Sequence, residues 1–280
     1  MDSQATPAAA HELLLALDVP LEAVRFETAV ERGVEWTDER RQSLLAVLER
    51  DRVGARKLER RPDGSLPSLY RLHGVRREGE RVALEVGTTD YAEYLATNVA
   101  HPEWRAMFGS RALADPLGLS GVLLEGRGRI VLGRRSRDLP VDAGRWHIVP
   151  AGHPFAPQTP LEALRDEARG ELGLDADELL DARCTGIFRV AHSGKPELAC
   201  FARTNRTLEE LASRARSEAW EHDELLGLAW EPRTIAAWLA NERARTAPAG
   251  HGAVLCAGRA SFGDAWWSET LARLALDAPR

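Results

Sequence analysis

A chain of 280 residues that is 44% hydrophobic and 29% charged, with 23 Gly and 15 Pro spread along it, has the makeup of a globular protein of one large domain or two ordinary ones. Its net charge of −6 argues against nucleic acid as the main partner, since that binding rests on attraction to phosphates, but leaves room for a local arginine pocket holding one or two phosphates. The cysteines Cys184, Cys200 and Cys256 lie far apart with no C-x-x-C spacing and read as reduced, buried thiols of a cytoplasmic protein.

Near the amino end the best apolar run, "LLLALDV" (Leu13 to Val19), is broken by Asp18 and is too short for a signal or membrane segment, so no membrane partner is expected. An Arg/Glu-rich helix is expected from Asp38 to Arg52. Alternating apolar residues in "LYRLHGV" and "RVALEVGT" then predict two strands around the polar turn "RREGE". "DYAEYLATN" (Asp90 to Asn98) reads as a short helix with Asp90 as its N-cap.

From Asp115 the pattern changes. "LSGVLLEG" and "RIVLGRRS" are two apolar strands joined by Gly126-Arg127-Gly128, a hairpin signal. That turn joins strand to strand, so it is no glycine loop of the nucleotide-binding kind, which joins a strand to a helix. A strand through "WHIVP" is followed by a helix that Thr159 caps and Pro160 starts, and that Gly173 ends. A second hairpin, "CTGIFRVA", "HSGK", "ELACFART", precedes a helix near Leu208 to Ser217, a strand "LLGLAW" and a helix "TIAAWLANERA". Strands interleaved with helices place the chain in the α/β class, with an N-terminal α/β domain over 1–115 and a second domain over 116–280.

The helix after Thr159 carries the most chemistry. Leu161, Leu164, Ala168 and Leu172 recur at helical spacing as its buried stripe. Glu167 and Glu171, at i and i+4, lie about 40° apart around the helix, on one edge of that stripe. Two adjacent half-buried carboxylates repel unless a cation neutralises them, and hard oxygen ligands suit Mg²⁺. Glutamates at this spacing also occur on many solvated helices, so the helix alone leaves both readings open.

Its context resembles a known motif. "GHPFAPQTPLEALRDEARGELGL" (Gly152 to Leu174) is similar to the Nudix box, with Gly152, Glu167, Ala168, Glu171, Gly173 and Leu174 at the right spacing. Three positions depart: Gln158 stands at the first Glu, Asp166 at the Arg and Gly170 at the middle Glu of the box. "YRLH" (Tyr70 to His73), "GTTDYAEYLATN" (Gly87 to Asn98), "ADPLG" (Ala114 to Gly118), "RRSR" (Arg134 to Arg137) and "GHP" (Gly152 to Pro154) occur in that order. Together they resemble the Nudix subfamily that hydrolyses UDP-glucose and UDP-galactose, over roughly residues 40–260. The resemblance implies a Nudix α/β/α sandwich, a mixed sheet flanked by helices, with a smaller α/β N-terminal domain that helps hold the nucleotide.

The same resemblance assigns roles. Glu167 and Glu171 become ligands of Mg²⁺ or Mn²⁺, with the Gly152 carbonyl as a further ligand, and Glu171 carries the catalytic role of the box. The subfamily keeps an acid where this chain has Gly170, and another after "GHP" where this chain has Phe155. Of Arg134 and Arg135, which strand alternation points to opposite faces, the pattern favours Arg135 as a phosphate grip. His153 falls where the pattern contacts substrate, and Tyr91 is either a uracil-stacking residue or core packing between the domains. His73 reads as structural. Nudix enzymes often take an extra carboxylate, as base or second metal ligand, from a loop near "EAWEHDELLGLAW", where Glu221 fits best among Glu218, Glu221, Asp223 and Glu224, against the reading of a solvated acidic loop.

The expected protein is therefore a divalent-metal-dependent pyrophosphohydrolase that cleaves a small-molecule nucleotide sugar to UMP and a sugar 1-phosphate. Two rivals stand beside it. One is a Nudix hydrolase of another nucleoside diphosphate derivative, such as ADP-ribose. The other is a weakened binding or regulatory protein, which Gly170 and Asp166 favour. No oligomeric state is assigned.

Overall fold

The computed structural model describes residues 11–29, 34–52, 58, 60–214 and 218–276. In chain order these form β1 (His11–Pro20), β2 (Val24–Thr28), α1 (Asp38–Arg52), β3 (Leu69–Glu78), β4 (Arg81–Thr89), α2 (Tyr91–Tyr94) and α3 (Trp104–Phe108). They continue with β5 (Gly118–Leu124), β6 (Arg129–Arg135), β7 (Trp146–Ile148), β8 (Ala151–Gly152), α4 (Pro160–Leu172), β9 (Leu180–Val190), β10 (Pro196–Arg203) and α5 (Leu208–Ser213). The last are β11 (His222–Ala229), α6 (Pro232–Asn241) and α7 (Pro248–Leu276).

The larger sheet runs β1-β9-β10-β5-β6-β11, with β7 on β6 and β8 on β5. It is mixed, because β10 and β5 are parallel while the other pairs are antiparallel. Side-chain alternation splits its residues between two cores. Leu119, Leu123, Val131, Ile187, Leu198 and Cys200 face one way, toward Leu164, Ala168 and Leu172 of α4 and toward Val24, Leu84 and Val86 of the small sheet β2-β4-β3. Val122, Ile130, Leu132, Phe188 and Ala199 face the other, toward Ile235 and Leu239 of α6 and Val254 and Cys256 of α7. The result is the expected sandwich of a mixed sheet between helical layers.

The local signals explain the elements that hold the site. Thr159 accepts a hydrogen bond from the Glu162 N–H while the Glu162 side chain reaches back to the Thr159 N–H, so α4 begins in a reciprocal cap. Gly173 ends it in the left-handed conformation, φ 65°. Asp90 caps α2 by accepting from the Glu93 N–H, and a π-type turn (Leu95–Val99) follows.

Several parts of the fold differ from the sequence reading, among them α3, β8 and α7, which it did not contain. β1 and β2 were not anticipated, and β1 crosses the expected division at 115/116, because it is hydrogen-bonded along β9 in the larger sheet. α5 ends at Ser213, and the expected continuation at 215–217 lies outside the described residues. β11 begins at His222 rather than Leu225, because its first residues pair with the end of β6, His222 opposite Arg135.

A buried polar cluster ties the N-terminal half to the β9–β10 hairpin. Asn98 Nδ2 donates to Asp115 Oδ1 at 2.9 Å and to the Ser193 carbonyl at 2.8 Å. Arg105 and Arg189 both pair with the Asp115 carboxylate. A buried charge is tolerated when it is paired and hydrogen-bonded in this way. All three cysteines are buried thiols, and no described helix is long and apolar enough to cross a membrane.

Candidate active site

α4, the β7–β8 corner and the turn into β11 meet at one end of the large sheet, beside a cavity of about 260 Å³. Gly152, His153, Tyr91, Arg135, Glu167 and Glu221 all line it. Glu171 sits just behind, 1% exposed. Its Oε2 accepts from the Ala151 N–H at 2.8 Å, and its Oε1 lies 3.0 Å from His222 Nε2. One ligand atom from each of Glu171, Glu221 and His222 lies within 4.8 Å of the others.

Glycine at 152 makes room for Glu167, because a Cβ there would collide with the Glu167 carboxylate. Burial, then the charges of Glu171, Glu218 and Glu221, push the Glu167 carboxyl well above its ordinary range. The Glu221 carboxyl is pushed up to about 7, by burial first and Glu171 next, with Arg135 opposing. Acids crowded to this degree favour either a shared proton or a bound cation. The donor set is mainly carboxylate oxygen, with one imidazole beside it, and the glycine opening leaves Glu167 room at the cavity wall. Those features fit a hard divalent cation such as Mg²⁺ or Mn²⁺. Glu167 and Glu171 would hold it, with Glu221 beside them, and His222 orients Glu171 through their hydrogen bond.

Arg135 reaches the cavity, while Arg134, next to it on β6, is not part of the wall. The Arg135 Nε donates to the Val141 carbonyl at 3.2 Å, which fixes the guanidinium at the rim. Tyr91, Tyr94 and His153 form an aromatic corner: Tyr91 meets His153 edge-on at 5.7 Å between centroids and Tyr94 at 5.5 Å. Tyr91 thus packs between the parts of the molecule and faces the cavity as well, so its two sequence readings are compatible. Burial pushes its phenol up to about 12 and holds His153 neutral, well below its ordinary range.

Two of the departures from the box are partners of each other. Gln158 Nε2 donates to Asp166 Oδ2 at 2.6 Å, and Asp166 also pairs with Arg169 at 3.0 Å. Where the box has an acid at the first position and a base at the second, this chain has a donor amide and an accepting carboxylate, joined by that hydrogen bond.

The sequence reading missed three features. His222 falls in the stretch that reads as a loop before the strand, and its place next to Glu221 is the one local signal it offers. Glu218 was noted only as part of an acidic run. Lys195 and Glu197, paired at 2.7 Å with Glu197 1% exposed, also line the cavity, and Ser120 Oγ donates to Glu197 at 2.9 Å. Nothing in the hairpin sequence marked that pair as facing a pocket.

Residues 115–253 match the NUDIX domain family. No curated protein matches the sequence. Among solved structures, DR0079 from Deinococcus radiodurans is 21% identical, covering 50% of this chain and 80% of its own, with a TM-score of 0.38. A MutT protein from Methanosarcina mazei Go1 is 17% identical, covering 49% of this chain and 88% of its own, at TM-score 0.35. RenU, a Nudix hydrolase from M. smegmatis, is 19% identical over 59% of this chain and 86% of its own, at TM-score 0.32. Residues 115–253 thus form a NUDIX domain, with the paired glutamates of α4 beside its cavity.

Proposed function

We propose that the chain is a divalent-metal-dependent hydrolase of a nucleoside diphosphate sugar, UDP-glucose or UDP-galactose first among candidates, releasing UMP and a sugar 1-phosphate. The observation that carries this reading is the meeting of Glu171, Glu221 and His222 within 4.8 Å, beside a cavity that also bears Glu167 and Arg135. When bound there, the cation supplies charge neutralisation for the diphosphate and lowers the cost of activating water.

The chain's own residues do the rest. Glu221, whose carboxylate lines the cavity beside Glu171, is placed to take the proton of the attacking water. Arg135 faces the phosphates and opposes the negative charge that grows on them in the transition state. Tyr91 offers a ring to the nucleobase, and His153, neutral, can donate to or accept from substrate without adding charge. The order of motifs around "GTTDYAEYLATN" and "RRSR" supports uridine and a hexose over other diphosphate derivatives.

A panel of UDP-glucose, UDP-galactose, other nucleotide sugars and ADP-ribose, with Mg²⁺ or Mn²⁺, tests this directly. UMP release fastest from a UDP-hexose is expected. Faster AMP release from ADP-ribose moves the substrate to that class. Binding of UDP-glucose with no monophosphate released over hours at millimolar metal overturns the enzymatic reading.

A further inference from the structure

Lys195 is the last residue before β10, and with Glu197 it forms a second polar wall of the cavity. Its ammonium lies 2.7 Å from one oxygen of Glu197 and over the ring of Tyr94, 5.6 Å from the centroid. Ser120 Oγ donates to the other oxygen of Glu197, and glycine at 118 leaves that carboxylate its room, since a Cβ there would collide with it. The backbone behind Lys195 is fixed as well. The Lys195 carbonyl accepts from the Val190 N–H at 2.9 Å, and Arg189 Nη1 donates to the Gly194 carbonyl at 2.8 Å. Arg189 also pairs with Asp115, so the polar cluster that joins the two halves of the molecule holds this turn in place.

The chemistry of this wall differs from that around Arg135. Arg135 is held by a carbonyl, which leaves its charge for phosphate, whereas Glu197 balances the charge of Lys195. A balanced pair exerts little net pull on an anion, yet an ammonium has three N–H donors and the carboxylate does not use them all. Beside it, His153 Nε2 is buried with no hydrogen-bond partner among the described residues, its ring 6.0 Å from that of Tyr94. The wall therefore suits an uncharged ligand group rich in hydrogen-bonding oxygen. Its place in the sheet agrees. β10 is separated from β6 by β5, so Lys195 stands two strand steps from Arg135, roughly 10 Å at the usual strand spacing, beyond the point where the phosphates would be gripped. A buried ion pair adds little stability over packed apolar groups, so hairpin packing does not by itself account for this one.

We propose that Lys195, held by Glu197, and His153 Nε2 bind the hydroxyls of a sugar ring of the substrate, the uncharged part next to the diphosphate. This rests on the nucleotide-sugar reading above. The hexose and the ribose both present such hydroxyls, and the test separates them.

Lys195→Met with Glu197→Gln removes the donors while keeping the wall neutral and the bond from Ser120. Steady-state hydrolysis of UDP-glucose with Mn²⁺ is measured on wild type and this pair variant, with UMP and 2′-deoxy-UMP as competing inhibitors. The KM for UDP-glucose should rise about tenfold or more, the value of a charge-assisted hydrogen bond, with kcat within about threefold. If the ring is the hexose, UMP inhibits both proteins equally. If it is the ribose, UMP inhibition weakens about tenfold in the variant and 2′-deoxy-UMP inhibition does not. An unchanged KM overturns the proposal, and so does an equal loss for UMP and 2′-deoxy-UMP, which marks a contact to phosphate or base. Should the pair variant fail to fold, Lys195→Arg decides. It keeps the ion pair but moves the donors, so its KM should rise about threefold or more, and a wild-type KM overturns the proposal. A wild type that releases no UMP from any nucleotide sugar overturns the hydrolase reading as well, whereas an active wild type with an unchanged KM in the variant overturns this proposal alone.

Discussion

His222 Nε2 lies 3.0 Å from Glu171 Oε1, and both side chains are buried. The contact joins the start of β11 to the last turn of α4, so one hydrogen bond ties the acid to the sheet. Replacing each partner should separate metal binding from stability. In Glu171→Gln the amide can still accept from the Ala151 N–H and face His222, and one of several crowded charges is gone. The expected result is at least tenfold weaker Mn²⁺ binding, with a metal-free melting temperature within about 4 °C of wild type, the shift that ~1 kcal/mol gives in a domain of this size. His222→Ala leaves a buried carboxylate oxygen without its donor, which costs about 1–3 kcal/mol, so it should lose both affinity and stability. Calorimetry and thermal melts on the two variants decide; equal melting losses in both contradict the assignment.

How much of this was legible in the sequence depends on the range of the interaction. α1, α2 and α4, with the caps at Asp90 and Thr159, follow from local chemistry and were readable from a few residues each. β1 was not, because its partner Val190 is far along the chain and nothing local marks residues 11–20 as a strand of the large sheet. α7 shows no clear helical period because residues 251–258 are buried on every side and Gly263, at φ 87°, interrupts the helix. In the site, Glu167 and Glu171 were legible through helical spacing. His222, Glu218 and Lys195 were not, since each becomes part of the cavity only when a second element folds over α4 or β5.

Arg135 and Tyr91 should separate chemistry from binding. Arg135 faces the cavity from the end of β6, held by the Val141 carbonyl, and acts where charge grows during reaction. Arg135→Ala should lower kcat by roughly a hundredfold or more while KM moves much less. Tyr91 presents its ring to substrate and product alike, so Tyr91→Leu should raise KM by about tenfold to a hundredfold with kcat little changed, from the ~1–3 kcal/mol that base stacking supplies. Steady-state kinetics on UDP-glucose read both. The reverse pattern, a KM effect at 135 and a kcat effect at 91, would remove both roles.

His251 on α7, two residues beyond the cavity-lining Ala249, sets part of the acid stability. Its Nε2 donates to the Leu239 carbonyl at 3.0 Å, and its Nδ1 lies 3.2 Å from His11 Nε2 on β1, so that nitrogen serves as acceptor. Burial pushes the imidazole down to about 4, the Leu239 carbonyl partly opposing. The unfolded chain takes up this proton near pH 6.5 and the folded chain only near 4, so stability falls as pH drops through that window, by up to about 1.4 kcal/mol per pH unit. Glu221, with its carboxyl raised to about 7, contributes with the opposite sign, stabilising the fold as pH falls from about 7 toward 4.5. Comparing His251→Gln with wild type cancels that contribution. Urea midpoints at pH 7 and pH 5 should show a smaller loss in the variant, and an identical loss rules His251 out as the source.

The last prediction concerns Gly152, whose role is to be absent. Its backbone has no left-handed φ, so alanine is accommodated by the main chain, and β8 can still pair with Leu119 of β5. The obstacle is the Glu167 carboxylate, which occupies the place of the missing Cβ. Gly152→Ala must therefore push Glu167 off its position while leaving the sheet intact. The expected outcome is Mn²⁺ binding weakened about tenfold and turnover reduced roughly a hundredfold, the loss typical of misplacing a catalytic group by about an ångström. Adding Glu167→Asp shortens the acid by one methylene and removes the collision, so the double variant should regain thermal stability but not metal affinity, since its carboxylate no longer reaches as far. If Gly152→Ala alone keeps wild-type affinity and turnover, the Glu167 carboxylate does not work from where it stands against Gly152, and the metal must be held without it.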